Sequence, residues 1–366
     1  MLEAFFTEQA LQKNTPFMKE AFFDKYQNES ILITGAGGSI GRKLVETLIG
    51  INFKHMILID QSEFNLFQLK QHDFSKDVQL QIADIRDLRK MEHLMQIYRP
   101  KLVIHTAAYK HVSLSEKDIY EFIRVNIEGT INVFKSSLNH GVSDFIFVST
   151  DKAVNPVNKM GLSKMLAELF LESYFLSTKM QIKIVRFGNV INSSGSVIPT
   201  FLKNINNGEA IEVRNKNTER YFIYDDVVAK NILHIAIENT HAIYLLEMNA
   251  PVKILDLAIY IKEIRKSNSA IKIVDLQNEE KLTEELLNFD EHLEKTLYEG
   301  CYCVKKGLLP NKKLRKEIMK IVKHNKKWEL KRVGKQLLKW TSFTTLNLIP
   351  KYFILSSPLY PDNKDY

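Results

Sequence analysis

The segment Ile31–Gly41, ILITGAGGSIG, constrains this chain more than any other. A short apolar, β-branched run enters three glycines, Gly35, Gly38 and Gly41, at spacing G-x-x-G-x-x-G, and a helical pattern follows from Ser39. A strand that turns tightly into a helix opens a βαβ unit. The next two hundred residues agree with that start. Apolar runs begin at Met56, Gln79, Leu102, Phe145, Ile182 and Ala242, and helix-length segments cover 39–50, 63–72, 88–98, 120–139 and 159–178. This alternation predicts an α/β chain built on a doubly wound parallel sheet. After Arg186 it loosens into the loop-like stretches GNVINSSGSVIPTF and RNKNTERYF.

The expected organisation has four parts. Residues 1–28 read as a helical arm, FFTEQAL and MKEAFFDKY joined through Pro16, serving as an oligomer arm or a cap over the core. A dinucleotide-binding domain spans 29–187, and 226–250 return to it. A smaller substrate-binding region takes 188–225 and 251–310. A basic helical tail occupies 311–366.

In the glycine turn, Gly35 allows the reversal, Gly38 lets backbone N–H groups approach a pyrophosphate, and Gly41 lets the helix pack on the sheet. Ser39 and Ile40 complete that loop. The second strand ends at Asp60, where a carboxylate accepts from the adenosine ribose and repels a 2′-phosphate. NAD is therefore expected over NADP, with Arg42 as the residue that keeps NADP in play. Asp84 in IADIRD either meets the adenine or caps the helix from Leu88.

Charge narrows the function classes. The formal charge of +8 is concentrated: residues 311–340 hold 12 Lys+Arg against 2 Asp+Glu, while the first 310 hold 37 against 39. A near-neutral body argues against a nucleic-acid surface spread over it. The two cysteines, Cys301 and Cys303, support neither a disulfide framework nor a zinc site and fit a reducing compartment. No signal peptide and no apolar run long enough for a transmembrane helix is evident, which gives a cytoplasmic expectation.

Several motifs, in order and spacing, carry a family resemblance: TGAGGSIG, IDQSEFNLFQL, ADIRD, HTAAYKHV, NIEGT, STDKAVNPVNKMGLSK, VRFGNV, SSGSVIPTF and ERYF. From Ser30 to Leu287 the chain resembles the bacterial UDP-N-acetylglucosamine 4,6-dehydratases of polysaccharide biosynthesis, a branch of the extended short-chain dehydrogenases with a Rossmann core. The resemblance implies an NAD-dependent lyase, a UDP-sugar substrate, a homo-oligomer and no metal. It implies that Asp151 helps protonate the departing C6 oxygen, that Lys152 takes the C5 proton, and that Lys164 holds the nicotinamide ribose. It also implies cofactor contacts at Ile85, Ala107 and Ala108. Substrate contacts would come from Tyr109, Lys110 and His111, from Asn189, Ser196 and Val197, and from Arg220 on the pyrophosphate. His111 reads equally as a structural histidine, and Asn126 as a group that orders strand and helix. The GGSIG and RYF forms resemble the subgroup that retains configuration at C5 more than the inverting one. A UDP-sugar 4-epimerase and a catalytically weak NAD-binding scaffold are the alternatives.

Two departures stand out. The superfamily's Tyr-x-x-x-Lys is Met160-x-x-x-Lys164 here, and a thioether does not usefully accept the C4 hydroxyl proton. That proton must leave through Thr150, Asp151 or a water. The family's Arg-Pro-Gly-Glu-Lys is Gln277-Asn278-Glu279-Glu280-Lys281, so either another cation substitutes, UDP binding is weaker, or the substrate differs.

From Lys312 to Trp340 apolar residues recur at helical spacing: Leu314, Ile318, Ile321, Val322, Leu330, Val333, Leu337 and Trp340, with Trp328 among them. Basic residues fill much of the remainder. The pattern reads as a membrane-surface helix, a protein contact or a solvated face, the first placing the enzyme peripherally at the inner face of the membrane.

Overall fold

The computed structural model describes residues 19–72, 77–326 and 353–354. A nine-stranded sheet organises them: β1 (Ser30–Thr34), β2 (His55–Asp60), β3 (Val78–Ile82), β4 (Leu102–His105), β5 (Asp144–Val148), β6 (Gln181–Arg186), β7 (Ala242–Leu246), β8 (Glu291–Lys295) and β9 (Cys301–Lys306). The order across the sheet is β8-β9-β7-β6-β5-β4-β1-β2-β3. β1 to β7 pair in parallel, and β9 joins β7 antiparallel, Ile243 opposite Val304. The chain runs outward from β1 to β3 and then restarts at β4 on the other side of β1. That reversal opens a crevice at the carboxyl ends of β1 and β4.

The inner strands read as continuous apolar runs because helices cover both faces. Alternate residues divide between two cores. Leu32, Ile57, Val103 and Phe145 face α4 (Leu88–Tyr98), α5 (Thr130–Asn139) and α6 (Lys159–Glu172). Ile31, Leu58, Ile104 and Ile146 face α1 (Lys19–Tyr26), α2 (Ser39–Leu48), α3 (Glu63–Leu69) and α8 (Asp225–Ile237). Local chemistry sets several boundaries: the side chains of Ser62, Asp87 and Asn158 accept from the first-turn amides of α3, α4 and α6. A third core gathers Phe201 on α7 (Val197–Asn206), Leu257 and Ile261 on α9 (Ile254–Ile264), and Ile211 and Val213. It belongs to the smaller region, where residues 211–214 pair with 271–274 and 219–220 with 252–253.

Of the expected arm, residues 1–18 lie outside the described residues, and α1 takes the cap reading, with Phe22 and Tyr26 buried and Tyr26 Oη donating to Ala236 O at 2.7 Å. Two findings revise the rest of the expected organisation. The hairpin of β8 and β9 extends the main sheet instead of serving the substrate region. The tail's first helix, α10 (Lys312–Lys326), closes the core beside α6. Leu314, Ile318, Ile321 and Val322, read from sequence as a stripe for a membrane surface, a protein contact or a solvated face, are buried there, and Arg315 stacks 3.6 Å over Tyr174. Lys312, Lys316, Lys320 and Lys323 point outward. Trp328, Leu330, Val333, Leu337 and Trp340 lie outside the described residues. Among the described residues no helix is long and apolar enough to cross a membrane.

Candidate active site

A cleft of about 1300 Å³ opens at the switch between β1 and β4. Its floor at one end is the glycine turn. Gly35 has φ +67°, and a Cβ on it would lie 2.7 Å from the Ala107 amide nitrogen, so no other residue fits without displacing the β4 loop. Gly38 starts α2 with no side-chain cap, which leaves the leading N–H groups of the helix on the cleft wall. Asp60 ends β2 at the same wall, with one carboxylate oxygen accepting from Gly37 N–H at 3.0 Å and the other from Ser62 N–H at 2.9 Å. The residues present fit a dinucleotide: an uncapped helix start for the pyrophosphate, and a fixed carboxylate for a ribose.

The other end is built on α6 and the turn after β5. Met160 and Lys164 lie one helical turn apart, both buried and both on the cleft wall. Lys164 Nζ donates to Val148 O at 2.6 Å and sits 3.9 Å from the centre of the Phe147 ring. Burial pulls its pKa down to about 7, partly opposed by Glu168. The first turn of α6 comes so near the Asp151–Ala153 turn that a Cβ on Gly161 would lie 2.1 Å from Lys152 O. Only glycine allows that approach.

Lys152 Nζ donates to Asp151 Oδ1 at 3.0 Å and Asn189 Oδ1 at 3.3 Å, and Glu284 Oε1 lies 3.5 Å away. Thr150 Oγ1 also donates to Asp151 Oδ1, at 2.9 Å. Burial works to strip the proton from Lys152, but Asp151 and Glu284 outweigh it and raise the pKa. The conflict between burial and a neighbouring carboxylate is thus resolved toward the ammonium form. Asp151 is fully buried behind Thr150 and Lys152, and its Oδ2 has no hydrogen-bond partner.

Most of the expected residues meet in this cleft: the glycine loop, Asp60, Ile85, Ala107 and Ala108, Tyr109 to His111, Thr150, Lys152, Met160, Lys164, Asn189 and Ser196. Four do not line it. Asp151 is screened as described, and Val197 turns into the third core at the start of α7. Asp84 is held by the Arg86 guanidinium, Nη2 to Oδ2 at 2.5 Å, while Asp87 caps α4. Arg220 spends Nη1 on the carbonyls of Glu219, Lys281 and Leu282 at 2.7, 3.0 and 3.0 Å. Asn126 orders its surroundings as expected, bonding both backbone groups of Tyr109 and Ser163 Oγ from a π-helical segment, Ile123–Gly129, inside the predicted helix. His111 lines the cleft against Gly195, and burial together with Lys110 lowers its pKa.

Sequence reasoning missed Gly161 and Glu284. The first was hidden in a helix pattern, and the second was visible only as one acid of LTEELL. Near the altered 277–281 segment, Arg214 pairs with Glu280 at 2.9 Å, which brings a cation there from another strand.

A family model described as polysaccharide biosynthesis protein matches residues 31–306. The capsular polysaccharide biosynthesis protein CapD of Staphylococcus aureus is 36% identical over 286 residues, covering 75% of this chain and 48% of CapD. The chain spans about half the length of the first curated relatives it matches. A Campylobacter jejuni UDP-N-acetylglucosamine 4,6-dehydratase (inverting) is 30% identical, covering 76% of this chain and 83% of that protein. Among solved structures, Pen from Bacillus thuringiensis superposes with a TM-score of 0.71 at 27% identity, covering 77% of this chain and 89% of Pen.

Proposed function

This chain belongs to the family of polysaccharide biosynthesis proteins, and on that footing we propose that it is an NAD-dependent nucleotide-sugar 4,6-dehydratase acting on UDP-N-acetylglucosamine. The observation that carries the reading is a second acid–base cluster: Thr150 and Lys152 share one cleft with Lys164, and both bond the Asp151 carboxylate behind them. Oxidation at C4 needs one proton site, whereas elimination of water across C5 and C6 needs two more. The relative named for this reaction supports the substrate.

The chemistry supplied by NAD, when bound, would be reversible hydride exchange with the sugar, so that only water is lost overall. Lys164 would hold the nicotinamide ribose, and the amides at the start of α2 its pyrophosphate. The Asp151 and Glu284 carboxylates keep a proton on Lys152. Its transfer across the 3.0 Å hydrogen bond would leave a neutral amine to take the C5 proton and a carboxylic acid to protonate the C6 oxygen. A sugar that excludes water from the cleft favours this uncharged pair. Since Asp151 is screened, its proton would reach the sugar through the Thr150 hydroxyl or the Lys152 amine. The C4 hydroxyl proton, denied a tyrosine, would leave by Thr150 or a water.

The preferred product retains configuration at C5, and the proton couplings of the isolated sugar decide between the two epimers. Purified protein incubated with UDP-N-acetylglucosamine should yield a product lighter by one water in mass spectrometry. An isomer of unchanged mass would replace this reading with 4-epimerase activity, and cofactor binding without turnover would make the chain a scaffold.

A further inference from the structure

His105 ends β4 at the switch and is buried, yet it lines no part of the cleft. The sheet register sets it between Thr34 on β1 and Phe147 on β5, so the three side chains share one face. Both ring nitrogens are engaged, Nδ1 with Thr34 Oγ1 at 2.6 Å and Nε2 with Thr130 Oγ1 at 3.0 Å. The neighbouring bonds fix where each hydrogen lies. Thr130 Oγ1 donates to Asn126 O at 2.7 Å, so towards the ring it accepts, and Nε2 carries the hydrogen. Nδ1 is then the acceptor, and the Thr34 hydroxyl donates to it. A lone pair of Thr34 Oγ1 is left for the Ala107 amide, which donates at 3.4 Å. One directional chain thus runs from Ala107 N–H through Thr34, His105 and Thr130 to Asn126 O. Burial and the Lys164 ammonium keep the imidazole neutral, its pKa pulled down to about 3.

We propose that His105, locked as its Nε2–H tautomer, is a positioning residue that aligns the glycine turn with Lys164 across the cofactor cleft. Each end of its chain holds a wall of that cleft. Ala107 is the residue against which Gly35 is fitted. Asn126 clamps both backbone groups of Tyr109 and the hydroxyl of Ser163, the neighbour of Lys164. The imidazole also stacks on Phe147, centroids 5.8 Å apart, and that ring lies 3.9 Å from Lys164 Nζ. His105 touches no reacting atom. A ring protonated on Nδ1 instead would leave the Thr34 hydroxyl hydrogen without its acceptor and loosen the hold on Ala107. In a buried chain each bond polarises the next, so one break is felt along its length. This role rests on the NAD reading given above.

The test uses the full chain with isotopically labelled histidine ring nitrogens. The His105 signal is the one that both Thr34→Val and Thr130→Val move. In wild type it should pair a pyrrole-like Nε2, coupled to both ring C–H protons, with a pyridine-like Nδ1, coupled to one. Thr130 lies outside the cleft, and Thr130→Val removes the acceptor of Nε2–H while keeping the shape. It should shift the ring toward the other tautomer and weaken NAD binding in calorimetry about tenfold. Thr130→Ser, which keeps the hydroxyl, should restore both. On a Thr34→Val background Thr130→Val should add nothing to the loss, since one cut already breaks the chain. An Nδ1–H tautomer in wild type, wild-type NAD binding by Thr130→Val, or losses that add across the two threonines would each overturn the proposal. Wild-type protein that binds no NAD would overturn the cofactor reading, and this role with it.

Discussion

The two ends of the cleft are built from different materials. At the cofactor end the wall is backbone: a glycine at positive φ, uncapped amides of α2, and Asp60 pinned by two N–H groups. At the chemical end it is charge. Lys152 stands among Asp151, Glu284 and Arg220, which balance one another. A backbone site tolerates almost no change of shape, whereas a charged site tolerates shape but is sensitive to the loss of a single ion.

The largest expected effect breaks the first end. Gly35→Val forces a branched side chain into left-handed backbone and onto Ala107, and calorimetry should find no NAD binding. Next, Lys152→Ala should lower kcat by about 10²–10⁴-fold while leaving the NAD affinity unchanged. A loss of NAD binding there would mean that the two ends are not separable.

Glu284→Gln should have a subtler result. Glu284 helps hold the Lys152 pKa above its ordinary value, so removing its charge lowers that pKa. The alkaline limb of the pH–kcat profile, where the Lys152–Asp151 pair loses its one proton, then moves to lower pH. A merely structural glutamate would scale the profile without shifting it, and an unshifted limb would remove Glu284 from the site's electrostatics.

The smallest effect concerns Lys164. Its folded pKa of about 7 lies below the ordinary lysine value of 10.5. Between those values the unfolded chain binds more protons, so this group's contribution to stability rises with pH and its cost is greatest below pH 7. The slope is at most about 1.4 kcal/mol per pH unit. Lys164→Met should therefore stabilise the protein at pH 7, with an advantage over wild type that shrinks toward pH 10 in urea melts. A constant difference would mean that the amine is not desolvated.

What could be read from sequence follows the same division. The strands, the glycine turn and Asp60 are encoded within a few residues of where they act, so periodicity and turn chemistry reveal them. Lys152 and Glu284 lie 132 positions apart in the chain, and no local pattern predicts their meeting. Arg220 is a different case. A guanidinium suits a phosphate, and here its Nη1 is already engaged by the carbonyls of Lys281 and Leu282, a placement set by loop geometry and not by local sequence. In ADIRD two carboxylates competed for roles, and Arg86 settled which of them would cap. The β8–β9 hairpin escaped notice because EHLEK and CYCVKK are only partly buried and do not read as core strands. α10 looked like a surface helix because an amphipathic stripe does not say whether lipid, a partner or the chain's own core will cover it.

The late position of α10 has a consequence for synthesis. α6 ends at Glu172, yet part of its cover, Leu314, Ile318 and Ile321, is translated only after about 140 further residues. At typical elongation rates a nascent chain carries that apolar face bare for roughly 7–28 seconds. It is then a natural client for a ribosome-associated chaperone. A frameshift or early stop before Leu314 would leave the face uncovered for good, which marks the product for proteolysis even with every catalytic residue in place.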